Sequence, residues 1–471
     1  MLESLIVGAG LSGLATAHRL QQRDRHFLIT EQDDRVGGVM ISKQRDGFLW
    51  EEGPNSFQPN PILLKLAVEV GLGDDLVFAD RHLPRFVYWQ GRLLPVPMSP
   101  GAAVRSPLLS FGGKLRALLG ALGFVPPKMG ANLTEQGGDE TIWQFVQRHL
   151  GSEVAERLIA PFVSGVYAGD VHGLSMAAAF RRVYELEAKG GGLVAGAIAA
   201  RRQSQPTPPD PSLPQTKPGE LGSFREGMEM LPKAIAARLG DGCAGADRLR
   251  CQWTLTGIER LPNGYRAQFD TPTGPETVET RSIVLAIPAH RVAPLLAPLT
   301  GTAQEVLGTI PYPPVACVVM AYPDQAWRRP LQGFGNLNPR HQGIRTLGTI
   351  WSSTLFPGRC PQGWRMISSF IGGATDPAVG AMDREAIAQQ VHQDLSKMLV
   401  KPEFEPEVLA VRVWPKAIPQ YTLGHGDRLH HLTTHLDQFP GLFLCSNYTD
   451  GVALGDCIRR GLAAADQVEA L

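Results

Sequence analysis

The sequence has no excess of charge of either sign and no long apolar run. Its 471 residues contain 45 lysines and arginines against 45 aspartates and glutamates, so the formal net charge is zero. Proteins that bind nucleic acid normally carry a basic excess, and that class is therefore disfavoured. The longest apolar run, 193–200, is far shorter than the roughly 20 residues that span a bilayer, and no transmembrane helix is expected.

Closely spaced cysteine pairs and an N-terminal targeting segment are also missing. The six cysteines include no CxxC spacing, which argues against a disulfide framework or a zinc site, and no metal is predicted. Residues 1–4 lead directly into an apolar run, without the basic start of a signal peptide or the arginine- and serine-rich stretch of a transit peptide. The protein is therefore expected on the cytoplasmic face, as in a bacterium or cyanobacterium, where it can still lie on a membrane surface.

A glycine-rich loop lies between a short apolar strand at 5–7 and a helix at 14–20, and a second strand follows at 27–29. The loop reads Gly8-Ala9-Gly10-Leu11-Ser12-Gly13. Gly8 permits the tight turn, Gly10 lets a pyrophosphate approach the backbone, and Gly13 lets the helix pack on the strand. Glu31 follows the second strand, where the acid that binds a ribose belongs. The pattern predicts a dinucleotide-binding domain rather than an ordinary glycine-rich turn.

Two further turns of small residues indicate which dinucleotide is bound. Gln32 and the run Arg35-Val36-Gly37-Gly38 follow Glu31, and Gly53-Pro54-Asn55-Ser56 comes shortly afterwards. NAD does not need such turns, whereas FAD does, because its flavin reaches further along the sheet and must be enclosed. FAD is therefore the predicted cofactor, and two unrelated glycine turns are the alternative.

A third turn of small residues, 447–456, joins a buried strand at 442–445 to a C-terminal helix. Asn447 and the backbone N–H groups of Val452, Ala453 and Leu454 are predicted to face the N1–C2=O edge of the flavin, where they would stabilise negative charge. The alternative is an ordinary helix start with Asp450 as its N-cap. Both interpretations of this turn can be true at the same time.

Strands of the nucleotide-binding type occur at both ends and in the middle of the chain, which predicts an interleaved α/β protein. We assign residues 1–60, 220–290 and 420–471 to a Rossmann-like FAD-binding domain, and 291–419 to an α+β substrate-binding domain. Residues 61–219 are predicted to be a helical part that binds substrate and contacts a membrane, with a proline-rich loop at 205–219.

The membrane contact is predicted from an apolar stripe in this helical part. Leu115, Leu118, Leu119 and Leu122 lie beside Lys114 and Arg116. Such a stripe either faces the core or lies in a lipid interface.

Several longer segments are more distinctive than the FAD motifs. They are 83–87 (LPRFV), 162–170 (FVSGVYAGD), 174–176 (LSM), 222–228 (GSFREGM), 333–335 (GFG), 347–353 (LGTIWSS) and 414–420 (WPKAIPQ). With these segments the chain resembles, over nearly its whole length, the FAD-dependent amine-oxidase superfamily. Within it the resemblance is to the protoporphyrinogen oxidases, and most of all to their plant-plastid and cyanobacterial branch.

This resemblance implies roles for single residues. Arg85 matches an arginine that pairs with a substrate propionate, and Gly169 matches a backbone approach point near it, the alternative for Gly169 being a left-handed turn. Val315, Leu331 and Trp351 fall in segments that sandwich the tetrapyrrole rings. One further position, Leu255, lies where a strand backbone clasps the adenine of the cofactor. No catalytic acid or base is predicted.

The resemblance also implies the reaction and its partners. The expected activity is the six-electron oxidation of protoporphyrinogen IX to protoporphyrin IX through FAD, in haem and chlorophyll biosynthesis. Dioxygen is the acceptor and hydrogen peroxide is formed. Peripheral membrane contact, a homodimer, and channelling to ferrochelatase or magnesium chelatase are implied in the same way.

Two other classes of function remain open from the residues. One is an amine oxidase or a carotenoid desaturase of the same superfamily, for which Arg85 would have no carboxylate to bind. The other is a non-catalytic carrier on the same fold, against which the complete phosphate loop and Glu31 argue.

Overall fold

The computed structural model describes residues 1–126, 138–190, 192–203, 210–240 and 248–471. Its strands are β1 Leu2–Val7, β2 Phe27–Thr30, β3 Ser42–Arg45, β4 Phe48–Glu51, β5 Leu76–Phe78, β6 Arg85–Trp89, β7 Arg92–Pro95, β8 Gly222–Phe224, β9 Leu249–Arg250, β10 Thr254–Leu261, β11 Gly264–Thr271, β12 Gly274–Leu285, β13 Val315–Pro323, β14 Gly335–Leu337, β15 Thr346–Ile350, β16 Trp364–Gly372, β17 Glu407–Trp414 and β18 Leu442–Leu444.

The helices connect and cover these strands. They are α1 Leu11–Gln22, α2 Pro61–Glu69, α3 Pro100–Arg105, α4 Phe111–Ala121, α5 Ile142–Leu150, α6 Ser152–Val154, α7 Ala160–Tyr167, α8 Met176–Ala179, α9 Arg181–Gly190, α10 Leu193–Gln203, α11 Met230–Leu239, α12 Ala289–Leu296, α13 Gly301–Gly308, α14 Ser352–Leu355, α15 Arg384–Met398, α16 His425–Leu436 and α17 Leu454–Glu469, with a π-helical turn Ala155–Ile159 between α6 and α7.

The first sheet contains the predicted nucleotide-binding strands. Its parallel part has the order β18-β12-β1-β2-β9, and the N-terminal half of β12 continues into an antiparallel meander with β11 and β10. Alternate residues of β1 face opposite sides: Ile6 packs with α1, α11 and α17, whereas Leu5 packs with α12, α13 and α16. This is a doubly wound arrangement, and ligands of such sheets bind beyond the carboxyl ends of the strands.

The second sheet has the order β17-β13-β16-β15-β14-β6-β7. Strands β6 and β7 come from the segment 85–95, which lies inside the part predicted to be helical, and β6 pairs in parallel with β14. The pairing joins residues that are about 250 positions apart in the chain, so no local pattern indicates it. One face of this sheet packs on α15, and the other turns toward the first sheet.

Helices α3 to α10 form the remaining part, with a core of its own around Phe145 and Val163. Residues 205–209 of the predicted proline-rich loop lie outside the described residues, and 210–219 contain neither helix nor strand. Within the described ranges, no helix combines the length and the apolar character that crossing a bilayer requires.

Candidate active site

A cavity of about 2030 Å³ lies between the two sheets. One wall is formed by the turns that follow β1, β2, β12 and β18, at the carboxyl edge of the first sheet. The opposite wall is a face of the second sheet, and α7, α8 and α9 close one side. The cavity therefore joins the predicted cofactor loops to the predicted substrate domain.

The phosphate loop forms the floor of the cofactor half. Gly8 has a φ of +101° and an added Cβ there would lie 2.7 Å from the carbonyl oxygen of Ala286, so the turn requires glycine. An added Cβ on Gly13 would lie 1.9 Å from the oxygen of Gly8, which shows how closely helix and strand pack. At Gly10, by contrast, an added Cβ meets no protein atom within 4 Å. The open space lies where the pyrophosphate is predicted.

Helix α1 leaves its first N–H groups available at this space. Gly10 is the N-cap residue and no side chain caps the helix. Gly8, Gly10, Leu11 and Ser12 line the cavity, whereas Ala9 is fully buried behind the loop. A helix N-terminus without a side-chain acceptor is suited to a phosphate.

Glu31 stands at the end of β2 and lines the cavity together with Gln32. Its Oε2 accepts a hydrogen bond from the N–H of Ala9 at 2.8 Å, and its Oε1 accepts from the N–H of Asp33 at 3.1 Å. Burial raises the pKa of Glu31, and the two backbone N–H groups oppose that effect. The carboxylate thus braces the phosphate loop as well as facing the predicted ribose position.

The two middle turns also reach the cavity. Arg35, Gly38 and the run Gly53 to Ser56 line it. Arg35 donates to the carbonyl oxygens of Val36, Gly38 and Met40, so it shapes its own turn. An added Cβ on Gly53 would lie 1.9 Å from the oxygen of Val39, and this contact holds the two turns against each other.

The C-terminal turn lies across the cavity from these loops, and Asn447, Val452, Ala453 and Leu454 line it. Helix α17 begins at Leu454 with Ala453 as its N-cap and no side-chain cap. Asp450 is therefore not the N-cap that the alternative interpretation required. Instead it pairs with Arg460 at 3.3 Å, which leaves the first N–H groups of α17 available to a ligand.

Tyr421 holds this turn together, and the sequence analysis did not identify it. Its hydroxyl donates to the carbonyl oxygen of Asn447 and accepts from the N–H of Gly451 at 3.0 Å. The ring stacks on His425 with centroids 4.4 Å apart. A tyrosine in a loop carries no local sign of such a contact, so only the fold reveals it.

The substrate half of the cavity is apolar. Val315 and Cys317 of β13, Leu347 and Ile350 of β15, and Phe370 of β16 form one wall. Val166, Tyr167, Ala168 and Phe180 face the same space from α7 and the turns beside α8. Leu255 of β10 lines the cavity at the cofactor end.

Four of the predicted substrate residues do not line this cavity. Leu331 and Trp351 lie in the core on the far side of the second sheet, where Trp351 stacks on Phe86 at 5.3 Å and donates to Asn336. Successive strand residues face opposite sides, so Ile350 reaches the cavity and its neighbour Trp351 does not. The roles predicted for Leu331 and Trp351 stay predictions.

Gly169 is buried just behind the wall. An added Cβ there would lie 2.6 Å from Leu174 and 2.7 Å from Oε1 of Gln420. The left-handed residue of this segment is Ala168, with a φ of +49°, not Gly169. Arg85 lies half-buried over the ring of Phe334 at 5.0 Å, and burial lowers its pKa.

The histidines near the cavity are neutral at physiological pH. Burial, with Lys416 and Arg291 nearby, lowers the pKa of His290 to about 4. Burial likewise lowers the pKa of His425 to about 4, and its Nε2 lies 2.8 Å from the carbonyl oxygen of Tyr448. Neither has a carboxylate partner among the described hydrogen bonds.

The family model of the flavin containing amine oxidoreductases matches residues 11–469. The chain belongs to this family. Membership confirms the predicted FAD cofactor and the predicted oxidoreductase class.

Similar proteins show where the chain belongs within this family. It is 45% identical to protoporphyrinogen oxidase 1, chloroplastic, of Spinacia oleracea, over 99% of this chain and 84% of the relative. It is 44% identical to protoporphyrinogen oxidase, chloroplastic, of Nicotiana tabacum, over 99% and 85%. The predicted resemblance to protoporphyrinogen oxidases is confirmed.

The fold is also found in a solved structure. A crystal structure from Exiguobacterium sp. 255-15, provisionally described as a protoporphyrinogen oxidase, has a TM-score of 0.79 at 26% identity and covers 99% of this chain and 98% of its own. The predicted fold class is confirmed.

Proposed function

We propose that this protein catalyses the oxygen-dependent, six-electron oxidation of protoporphyrinogen IX to protoporphyrin IX in tetrapyrrole biosynthesis. The observation that carries the proposal is one continuous cavity, in which cofactor turns of the family face an apolar compartment. Each two-electron step consumes one dioxygen and yields one hydrogen peroxide. The high identity to chloroplastic protoporphyrinogen oxidases supports this substrate over an amine or a carotene.

The residues present fit FAD. Gly10 leaves room for the pyrophosphate, and α1 and α17 both present N-termini without a side-chain cap. Bound FAD would supply the two-electron redox chemistry between substrate and dioxygen. Gly8 to Ser12 would hold its phosphates, Glu31 its ribose, and the N–H groups of Val452 to Leu454 the edge of its flavin.

The protein also orients the substrate in an apolar compartment. The wall residues Val315, Leu347 and Ala168 pack together and are nearly inaccessible to water. An apolar macrocycle bound there would lose its hydration and adopt a defined position relative to the cofactor.

An aerobic fluorescence assay tests the proposal. The purified holoenzyme is mixed with protoporphyrinogen IX, and the fluorescence of protoporphyrin IX and the peroxide formed are followed together. We expect three peroxides for each porphyrin in the absence of catalase. Turnover of a primary amine instead, with no porphyrin formed above the uncatalysed rate, would assign the protein to another branch of the family.

We also infer that the protein binds to a bilayer surface through the face formed by α3, α4 and the residues that follow α4. Phe111 is 84% exposed, Val104 is 70% exposed, and Leu122 and Phe124 are 67% and 68% exposed. Leu115 and Leu118 on α4 are exposed as well. Arg105 ends α3 and is exposed, and a cation beside such apolar side chains suits anionic headgroups.

Of the two basic residues predicted beside the apolar stripe, Lys114 and Arg116, one does not lie on this surface. Arg116 turns inward and donates to the carbonyl oxygens of Arg148 and His149, so it ties α4 to α5 instead. The homodimer and the transfer of product to ferrochelatase or magnesium chelatase remain predictions of the sequence resemblance.

A further inference from the structure

We propose that Tyr421 is a positioning residue for the flavin and that it shifts the balance between oxidised and reduced cofactor. Its hydroxyl fixes the backbone of the turn 447–451, and this turn leads into the N–H groups of Val452 to Leu454, which are predicted at the flavin edge. This role rests on the FAD placement described above. It goes beyond the proposed function, because the potential of a flavin does not depend on which substrate is oxidised.

The hydroxyl of Tyr421 bridges the two ends of the turn. It donates to the carbonyl oxygen of Asn447 and accepts from the N–H of Gly451 at 3.0 Å. These backbone groups are four residues apart, the spacing of a direct hydrogen bond in an α-helix, but here the hydroxyl stands between them. Gly451 has a φ of +132°, and an added Cβ would overlap a carboxylate oxygen of Asp456. The turn is therefore not helical, and the tyrosine closes it.

His425 fixes the next carbonyl group of the same turn. Its ring stacks on Tyr421, with centroids 4.4 Å apart and planes inclined by 12°. Its Nε2 lies 2.8 Å from the carbonyl oxygen of Tyr448, so this nitrogen carries the proton and donates. Neither Tyr421 nor His425 lines the cavity. The carbonyl groups are thus directed at buried side chains, while the uncapped, positive end of α17 faces the cavity.

The segment that carries Tyr421 is itself fixed to the substrate wall of the cavity. The N–H of Ser175 donates to the carbonyl oxygen of Tyr421 at 2.8 Å. On the preceding residue, Nε2 of Gln420 donates at 2.9 Å to the carbonyl oxygen of Tyr167, which lines the cavity. The rings of Tyr167 and Tyr421 meet edge to face, 6.3 Å apart. The tyrosine is therefore anchored on its own side and can hold the turn in one position.

Reduction changes the charge at the flavin edge that this turn is predicted to face. A flavin that takes up two electrons and one proton carries one negative charge, shared between N1 and the C2 carbonyl oxygen. Free N–H groups at a helix N-terminus stabilise such a charge, and charge near N1 is one means by which a protein tunes a flavin. A turn held in place therefore favours reduced FAD, and a loosened turn lowers the midpoint potential.

Tyr421→Phe removes the hydroxyl and keeps the ring that stacks on His425. The midpoint potential of the FAD-loaded protein is measured without substrate, by anaerobic reduction together with a dye of known potential. The matched control is Tyr322→Phe. Tyr322 is also buried and also stacks on a histidine, His392, whose Nδ1 lies 2.9 Å from its hydroxyl, but it lies in the core on the far side of the second sheet.

For Tyr421→Phe we expect reduced FAD to be destabilised about tenfold relative to oxidised FAD, which corresponds to a midpoint potential about 30 mV more negative. His425→Phe keeps a stacking ring but cannot donate to Tyr448, and it should shift the potential in the same direction. Both variants should still bind flavin stoichiometrically. Tyr322→Phe should lower the midpoint of thermal unfolding, as the loss of a buried hydrogen bond does, and leave the potential unchanged.

An unchanged potential in Tyr421→Phe, or an equal shift in Tyr322→Phe, would overturn the proposal. If Tyr421→Phe does not fold, His425→Phe decides, and an unchanged potential in that variant would overturn the proposal as well. A wild-type protein that binds no flavin would overturn the FAD placement and this role with it. A flavin-bound wild type that does not oxidise protoporphyrinogen IX would instead contradict the proposed function alone.

Discussion

The guanidinium of Arg359 lies 3.0 Å from the carboxylate of Glu51, and both side chains are almost completely buried. Glu51 also accepts from the hydroxyl of Ser42 at 2.5 Å and from the N–H of Met228 at 3.0 Å, while Arg359 donates to Ser223 at 2.6 Å. Burial raises the pKa of Glu51 and lowers that of Arg359, and their mutual attraction opposes both shifts. This pair joins the start of a cofactor turn to a loop of the second sheet.

Arg359→Met should therefore destabilise the protein strongly, because it leaves a buried carboxylate without its counter-ion. The expected loss is about 3–5 kcal/mol in the free energy of unfolding. The double variant Glu51→Gln/Arg359→Met should recover part of that loss, since no charge is then stranded. Urea denaturation followed by circular dichroism measures both. The exposed pair Arg45 and Glu407 provides the control, and Arg45→Met should change stability little. An equal effect of Arg45→Met would contradict the argument from burial.

Gly10→Val should abolish FAD binding without unfolding the chain. An added Cβ meets no protein atom within 4 Å, so the valine side chain is expected to enter the space where the pyrophosphate is predicted. Bound flavin is measured by its absorbance at a known protein concentration. Gly308→Val serves as the control, because an added Cβ there also meets no atom within 4 Å, at the end of a helix remote from the cavity. Stoichiometric flavin in Gly10→Val would exclude the phosphate-loop assignment.

Phe111→Ser/Leu122→Ser should weaken binding to vesicles at least severalfold. Each substitution removes an apolar side chain that would enter the lipid interface, worth on the order of 2 kcal/mol when fully buried. Flotation with vesicles that contain anionic lipid measures the bound fraction. Val408→Ser, an exposed apolar site on β17, is the control and should float like the wild type. If neither the wild type nor any variant floats, and sedimentation shows a dimer that Phe111→Ser/Leu122→Ser disrupts, the face binds a second copy instead.

Acid should destabilise the fold partly through His425. Its folded pKa is about 4, lowered by burial with Arg428 adding to the effect and Asp139 opposing it, whereas an unfolded histidine titrates near 6.5. The unfolded chain therefore binds a proton more readily, and the stability present above pH 6.5 is lost as the pH falls toward 4. The contribution is at most about 3 kcal/mol.

The midpoint of thermal unfolding between pH 7.5 and pH 4.5 tests this dependence. His425→Gln should reduce its slope, because the glutamine amide can still donate to Tyr448 but does not titrate. His430→Gln changes an exposed histidine on the same helix and should leave the slope unchanged. Identical slopes in all three proteins would assign the acid sensitivity to other groups.

The cofactor half of the site could be predicted from the sequence because its determinants are local. Gly8, Gly13 and Glu31 occur at fixed spacing within a single βαβ unit, and the turn around Gly53 follows shortly afterwards. Family resemblance supplied the fold and the reaction class. The predictions for the phosphate loop and the ribose acid depend on residues that lie near one another in the chain.

The substrate half could not be predicted in this way, because it depends on which side of a strand each residue faces. A shift of one position exchanges Ile350, which lines the cavity, for Trp351, which does not. The same applies to Arg85, whose strand joins the second sheet through a partner far along the chain.

The order of strands in the first sheet sets when the cofactor can enter. β18 and the turn at 447–454 come from the last 30 residues, yet they form one wall of the flavin site. Until these residues leave the ribosome, the phosphate loop at the other end of the chain has no partner surface to complete it. The flavin should therefore bind only after residues 442–454 have been synthesised, and a chain shortened before β18 should remain an apoprotein without flavin absorbance.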